Sequence, residues 1–244
     1  MPKTLIMIPT YQEADNIQSL VERLVKLQLD ADILFIDDNS PDGTGKLLDE
    51  CALKYKRIKV LHRRYKSGIG TAHQYGIQMA YVDNYTRLIT MDGDFTHPPE
   101  NISALLKYAD DYDIVIGGRH AQKSSLEGWA PWRKILTYTA HAFTSTMLYL
   151  PYDATSAFRI YNIEKIPERT FKLIHSKSYS FFFESLCILN ENKFTIYDVP
   201  VVLPPRTLGS SKLKFKDMAY SLFLVLKLGL RIRIHDKKLY IETP

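Results

Sequence analysis

The chain has 244 residues, of which 45% are hydrophobic and 24% charged, with a formal net charge of +5. These are the proportions of a soluble globular protein long enough to bury a core unaided, which excludes a disordered or fibrous chain. Eight Lys and Arg against two Asp lie between Lys212 and Lys238, so the rest of the chain is close to neutral and lacks the basic reading surface of a nucleic-acid binder.

Short apolar runs alternate with helix-period segments through the first half. Residues 4–8 form a continuous apolar run, followed by Ile17, Leu20, Val21 and Leu24 at helical spacing. Strands are then expected at 33–36, 58–61, 88–91 and 114–116, with helices at 47–55, 72–82 and 102–108 between them. Strand–helix alternation with wholly apolar strands predicts an α/β fold, a mostly parallel sheet with helices on both faces. After Gly117 the rhythm changes. A loop is expected over 120–131, helices at 132–150 and 180–189, strands at 156–161 and 194–202, and a last amphipathic helix after a Gly209–Ser211 turn. Residues 1–213 read as one α/β domain, and 214–244 as a basic amphipathic segment suited to a membrane surface. The stretch 218–230 is too short, and interrupted by Lys227, to span a bilayer, and the N-terminal apolar run is too short for a signal peptide. Cys51 and Cys187 each fall in an apolar helical pattern and read as reduced core thiols of a cytoplasmic protein.

Ligands of open parallel sheets bind beyond the carboxyl ends of the strands, and the chemically informative residues lie there. The first strand ends in Pro9-Thr10-Tyr11-Gln12-Glu13, the second in Asp37-Asp38-Asn39-Ser40, the fourth in Asp92-Gly93-Asp94 and the fifth in Gly117-Gly118-Arg119. Taken singly, each is ordinary turn chemistry. Taken together, they put acids from two strands and an arginine from a third on one edge. Asp92 and Asp94 can both reach a divalent ion that shares phosphate oxygens, and Mg²⁺ or Mn²⁺ suits such hard ligands. No GxGxxG follows the first strand, and there is no GxxxxGK[ST] or GxSxG, so dinucleotide oxidoreductases, P-loop NTPases and esterases have no starting point. His97, His120, His141 and His175 lack zinc-ligand spacing and read as structural or surface residues.

These motifs, with Asp92-Gly93-Asp94-Phe95-Thr96-His97-Pro98-Pro99-Glu100 and the later Trp132-Arg133-Lys134, Asp153-x-x-Ser156-x-Phe158-Arg159 and Arg206-x-x-Gly209-x-Ser211-Lys212-Leu213, resemble the inverting family 2 glycosyltransferases of the GT-A fold. Within them the likeness is to the dolichyl-phosphate mannose synthases and their bacterial polyprenyl-phosphate relatives, in order from about Leu5 to Leu213. The resemblance implies transfer of a hexosyl group, mannose from GDP-mannose being favoured, to a polyprenyl or dolichyl phosphate at the cytoplasmic face of a membrane. It implies that Pro9, Tyr11, Glu13 and Asp38 hold the base and ribose of the nucleotide sugar, that Asp92 and Asp94 hold Mg²⁺ or Mn²⁺, and that Arg119, Arg133 and Arg206 grip phosphates with Lys212 nearby. Thr96 stands where relatives usually carry a metal-touching Gln, and Ala157 where many carry Gly. UDP-glucose remains the alternative donor. A glycan or soluble acceptor, with Glu184 as general base, and a non-enzymatic module for anionic membranes are the competing readings. Membrane contact could be direct or through a partner subunit.

Overall fold

In a computed structural model of the protein, residues 3–119, 126, 128–204 and 215–241 are described, the side chains of Arg133 and Phe215 excepted. The seven strands are β1 (Thr4–Thr10), β2 (Ala31–Asp37), β3 (Ile58–His62), β4 (Arg87–Thr90), β5 (Ile114–Gly118), β6 (Arg159–Asn162) and β7 (Ile196–Pro200). They form one sheet in the order β3-β2-β1-β4-β6-β5-β7. All neighbours run parallel except β6, which lies antiparallel between β4 and β5.

Successive side chains of each strand point to opposite faces, and both faces are covered. Leu5, Met7, Leu34, Ile36, Ile114 and Ile116 share one core with helices α3 (Ile69–Val82), α6 (Glu168–Phe171) and α7 (Ser180–Glu191). Ile6, Ile8, Ile33, Phe35, Ile89 and Val115 pack on the other face, with α1 (Ala14–Lys26), α2 (Thr44–Lys54) and α4 (Ile102–Leu106). Two longer helices, α5 (Pro131–Leu148) and α8 (Phe215–Arg233), pack against each other at one end, and α8 also rests on α7. There Gly229 approaches the Met147 carbonyl so closely that a Cβ would lie 2.7 Å from it.

The expected strand–helix order holds through α5, with boundaries shifted by a few residues. The strand expected over 156–161 begins only at Arg159, because Ser156 turns its hydroxyl onto the Gly117 carbonyl (2.8 Å) and receives the Phe158 amide (3.2 Å) instead of joining a ladder. Pro98-Pro99 starts a 3-10 turn (Pro99–Asn101) that leads into a shorter α4 than expected. The four-residue α6 has no periodic signature in the sequence. On the last helix Val225 is buried with Leu224 and Leu228 in the core. Most of the loop expected at 120–131, and the boundary at 213/214, fall outside the described residues. Cys51 and Cys187 are free thiols, and no helix among the described residues is long and apolar enough to cross a membrane.

Arg159 is the largest fully buried side chain. Its guanidinium donates to the carbonyls of Ser156 (2.8 Å), Ala154 (2.9 Å) and Phe182 (2.8 Å) and to the Ser185 hydroxyl (2.9 Å). It therefore ties β6 to α7 through a buried network in which the Ser185 hydroxyl also donates to the Phe182 carbonyl (2.9 Å). Breaking a buried charged network of this kind costs about 3–5 kcal/mol. Arg159→Met is expected to lower the unfolding free energy in urea by about 3 kcal/mol; a loss below about 1 kcal/mol would show that these carbonyls find other donors.

Candidate active site

Beyond the carboxyl ends of β1, β2 and β4 lies one cavity of about 270 Å³, and Pro9, Tyr11, Glu13, Asp38, Asp92 and Asp94 all line it. The three loops that carry these residues each contain one non-glycine residue in the left-handed region: Gln12 (φ 57°), Asn39 (φ 55°) and Phe95 (φ 63°). Such backbone is held only where its surroundings fix it, and here they do.

Adjacent acids divide the work. Asp37 is buried and turned inward, accepting from Thr10 Oγ1 (3.3 Å), Ser40 Oγ (2.5 Å) and the Ser40 amide (3.1 Å). Ser40 Oγ in turn accepts the Gln12 amide (3.0 Å), so Asp37 locks the first loop to the second. Asp42 and Thr44 continue the seam. Thr44 Oγ1 receives the Glu13 amide (2.9 Å) and donates to Asp42 (2.6 Å), while Asp42 accepts the Ala14 amide (3.1 Å). Asp38 faces the cavity. Burial raises its carboxyl above the usual carboxylate range, against the pull of Arg63, which bonds it directly. Arg63, just past β3, also donates to Thr71 Oγ1 (2.6 Å) and the Gly68 carbonyl (3.3 Å).

The Asp92-Gly93-Asp94 turn is held from behind. The Asp92 amide donates to His97 Nδ1 (2.9 Å), and the His97 ring stacks on Phe158 at 5.3 Å. Burial pushes His97 down to about 4, so it is neutral at pH 7 and can accept that proton. Asp94 accepts both the amide (3.0 Å) and the hydroxyl (2.5 Å) of Thr96. Thr96 is thus bonded to Asp94 and does not itself line the cavity. His97 Nδ1, 3.5 Å from Asp92 Oδ2, is taken up by the Asp92 amide, and the two carboxylates of the turn suit a hard divalent ion that takes its remaining ligands from phosphate. Among the described residues no group of three or more His, Cys, Asp and Glu side chains could close a site without such help.

Arg119 stands at the end of β5, set against Asp153. Its Nε and amide donate to Asp153 Oδ2 (2.7 and 3.1 Å), its Nη2 to Asp153 Oδ1 (2.8 Å) and to Thr155 Oγ1 (2.5 Å). The charge of Asp92 is close enough to help hold this guanidinium protonated. Arg133 lies in the first turn of α5 with its side chain outside the described residues, as are Arg206 and Lys212 altogether. Glu184 is buried and accepts the Ser176 amide (2.7 Å), which makes it a structural carboxylate away from the cavity. Trp129 is half-buried and donates to the Leu203 carbonyl (3.1 Å).

Several wall residues escaped the sequence reading. Lys66 sits over the Tyr11 ring at 3.7 Å and lines the cavity, and Ser178, Tyr179 and Asp217 form the opposite wall. Arg63 and Lys66 lie in a loop whose composition is ordinary. Their signal is topological, since any residue just past β3 falls on the same edge as Asp38.

Residues 5–180 match the family described as Glycosyl transferase family 2. The chain is 34% identical to a polyprenol monophosphomannose synthase of Mycolicibacterium smegmatis, over 95% of this chain and 89% of that one. It is 31% identical to an undecaprenyl-phosphate mannosyltransferase of Micrococcus luteus, over 95% and 96% of the respective chains. Among solved structures it superposes on glucosyl-3-phosphoglycerate synthase from Mycobacterium tuberculosis, crystallised with Mn²⁺, UDP and glucosyl-3-phosphoglycerate. That superposition has a TM-score of 0.64 at 15% identity and covers 95% of this chain and 80% of that one. The mostly parallel seven-stranded sheet is therefore the GT-A fold.

Proposed function

Since the chain belongs to glycosyl transferase family 2, we propose that it transfers mannose from GDP-mannose to the phosphate of a polyprenyl lipid, with inversion at the sugar C1. The observation that carries this reading is the convergence of Pro9, Tyr11, Glu13, Asp38, Asp92 and Asp94 on one cavity. The two mannosyltransferase relatives, matched over nearly their whole length, support the acceptor and the sugar. In this reading Pro9, Tyr11, Glu13 and Asp38 hold the base and ribose, with Arg63 setting the charge of Asp38. Asp92 and Asp94 hold Mg²⁺ or Mn²⁺, whose chemistry is to neutralise the diphosphate leaving group. Arg119, Arg133 and Arg206, with Lys212, receive the donor and acceptor phosphates.

The chemistry asks little of a base. A phosphate monoester is already anionic near neutral pH and attacks C1 through one of its own oxygens. The bond from C1 to the diphosphate breaks with its electron pair, and the nucleoside diphosphate leaves from the opposite face. The difficulty is bringing two anions together, and in this reading arginines answer it electrostatically. That Glu184 is bonded to the Ser176 amide weighs against the alternative with a soluble acceptor and Glu184 as base.

The lipid must be reached from water. On α8, Leu222, Phe223, Leu226 and Leu230 are each at least half exposed, and Trp132 and Ile135 of the adjoining α5 extend the same kind of surface. Lys216, Lys227, Arg231 and Arg233 accompany them. We assign this face to the cytoplasmic surface of an anionic membrane, where each buried Leu or Phe contributes about 1.5–3 kcal/mol and each Lys or Arg about 1 kcal/mol. The free thiols agree with that compartment.

Three measurements test the reading. In a thermal-shift comparison with Mn²⁺ present, GDP-mannose should stabilise the protein more than UDP-glucose or UDP-GlcNAc. Asp94→Asn should reduce transfer more than about a hundredfold, by removing a ligand charge worth several kcal/mol, and abolish the Mn²⁺ dependence of GDP-mannose binding without unfolding the chain. Full transfer by the variant, or by wild type in excess EDTA, contradicts the metal assignment. The protein should also sediment with phosphatidylglycerol vesicles and be released as salt rises. Phe223→Glu with Leu226→Glu should weaken that partition more than tenfold while leaving GDP-mannose binding intact. Wild type that ignores such vesicles at low salt points to a membrane partner subunit instead.

A further inference from the structure

Gly118, the last residue of β5, has its side-chain space filled by a neighbour. A Cβ there would lie 1.7 Å from Oδ1 of Asp198, which reaches across from β7. Asp198 Oδ2 accepts the amide of Asp153 (2.9 Å), and the fully buried Asp153 side chain places both its oxygens on Arg119. A continuous path therefore runs from Asp198 through the Asp153 backbone and carboxylate to the Arg119 guanidinium.

Two carboxyl groups are packed around one guanidinium, and their partners are unequal. Asp153 has the fork of Arg119, while Asp198 Oδ1 is buried with no hydrogen-bond partner among the described residues. A buried carboxylate oxygen without a donor is costly, and the uncharged acid relieves that cost. Burial, reinforced by the charge of Asp153, pushes the Asp198 carboxyl up to about 7 against the pull of the Asp153 amide, Arg119 and Arg159. The charged and titratable groups around it are Arg119, Arg159, Asp153, His97 and His141. The Asp153 carboxylate holds the Arg119 guanidinium above its ordinary value against the cost of burial. His97 and His141, which face Asp153 and Arg119 from the loop after β4 and from α5, are both lowered by burial and stay neutral.

We propose that Asp198 is a positioning residue that works as a neutral carboxylic acid. Uncharged, it seats the Asp153 backbone so that Asp153 presents Arg119 to phosphate. Ionised, it becomes a second carboxylate competing for the same guanidinium and weakens the hold of Arg119 on substrate. This rests on the reading of Arg119 as a phosphate ligand. It also accounts for the Gly118 position, where any side chain would evict the Asp198 carboxyl.

The test is the pH dependence of wild type, Asp198→Asn and Asp198→Ala, followed from pH 5.5 to 8.5 with GDP-mannose and polyprenyl phosphate. Asn keeps the shape, the acceptor for the Asp153 amide and the neutral state. Wild-type kcat/KM is expected to fall about tenfold or more between pH 7 and 8.5, as Asp198 loses its proton. Asp198→Asn should stay within about threefold of wild type at pH 6.5 and lack that alkaline fall. Asp198→Ala should raise KM throughout the range. An alkaline fall in the Asn variant equal to that of wild type, or an Ala variant indistinguishable from the Asn variant, overturns the proposal. Melting temperatures over the same range give a readout that does not need transfer. An Asp whose folded pKa is raised favours the fold most below its unfolded value, near 4, and loses that contribution as pH climbs to about 7. Wild type should therefore lose stability relative to Asp198→Asn between pH 5.5 and 7, and parallel curves overturn the proposal. An absence of transfer by wild type at every pH with diverging melting curves would instead overturn the proposed mannosyl transfer, and not the neutral Asp198.

Discussion

Carboxylates gathered at one edge of a sheet repel one another, and this edge is held because four of them have counterparts of their own. Asp37 is bonded by Thr10 and Ser40, Asp38 by Arg63, Asp94 by Thr96 and Asp153 by Arg119. Only the arrangement as a whole leaves cavity-facing oxygens on Asp38, Asp92 and Asp94 while the supporting acids are satisfied elsewhere. The loops adopt left-handed residues, and the sheet accepts an antiparallel β6, in the service of that placement. Its consequence is an anionic pocket beside cationic arginines, the combination that a diphosphate bridged by a divalent ion requires.

Much of this was legible in the sequence for a simple reason. Apolar strands buried on both faces leave polar residues only at their ends, so Asp37-Asp38, Asp92-x-Asp94 and Gly117-Gly118-Arg119 stood out against a hydrophobic background. Composition could not say which member of Asp37-Asp38 faces the ligand. That follows from the alternation of side chains at the end of β2 and from Ser40 folding back onto Asp37. Arg63 and Asp198 were invisible because each acts across strands, on a neighbour fixed only once β3 lies beside β2 and β7 beside β5. Gly117 and Gly118 hinted at it. Paired glycines at a strand end imply large neighbours, and here the Phe158 ring and the Asp198 carboxyl occupy the two spaces.

The final helix shows how one amphipathic pattern serves two surfaces. Leu222, Val225, Leu226 and Leu230 recur at helical spacing, but α8 turns Leu224, Val225 and Leu228 into the core and keeps Leu222, Leu226 and Leu230 outward. Helical spacing alone cannot divide a hydrophobic arc wider than half a turn between a core and a second partner. Packing against α5 and α7 makes that division, and it leaves the outward arc near Asp217, which lines the cavity wall. A lipid phosphate entering from that side would meet the donor without the rest of the lipid leaving an apolar surface.

The central claim is inverting mannosyl transfer from GDP-mannose to a polyprenyl phosphate. It is tested most directly by incubating the protein with GDP-mannose, Mn²⁺ and a polyprenyl phosphate and determining the anomeric configuration of the isolated lipid product by its one-bond C1–H1 coupling. The account predicts a β-linked mannosyl phosphate and no product from the corresponding polyprenol, which lacks the attacking phosphate. An α-linked product, or transfer to the polyprenol or to simple sugars in preference to the phosphate, would contradict it.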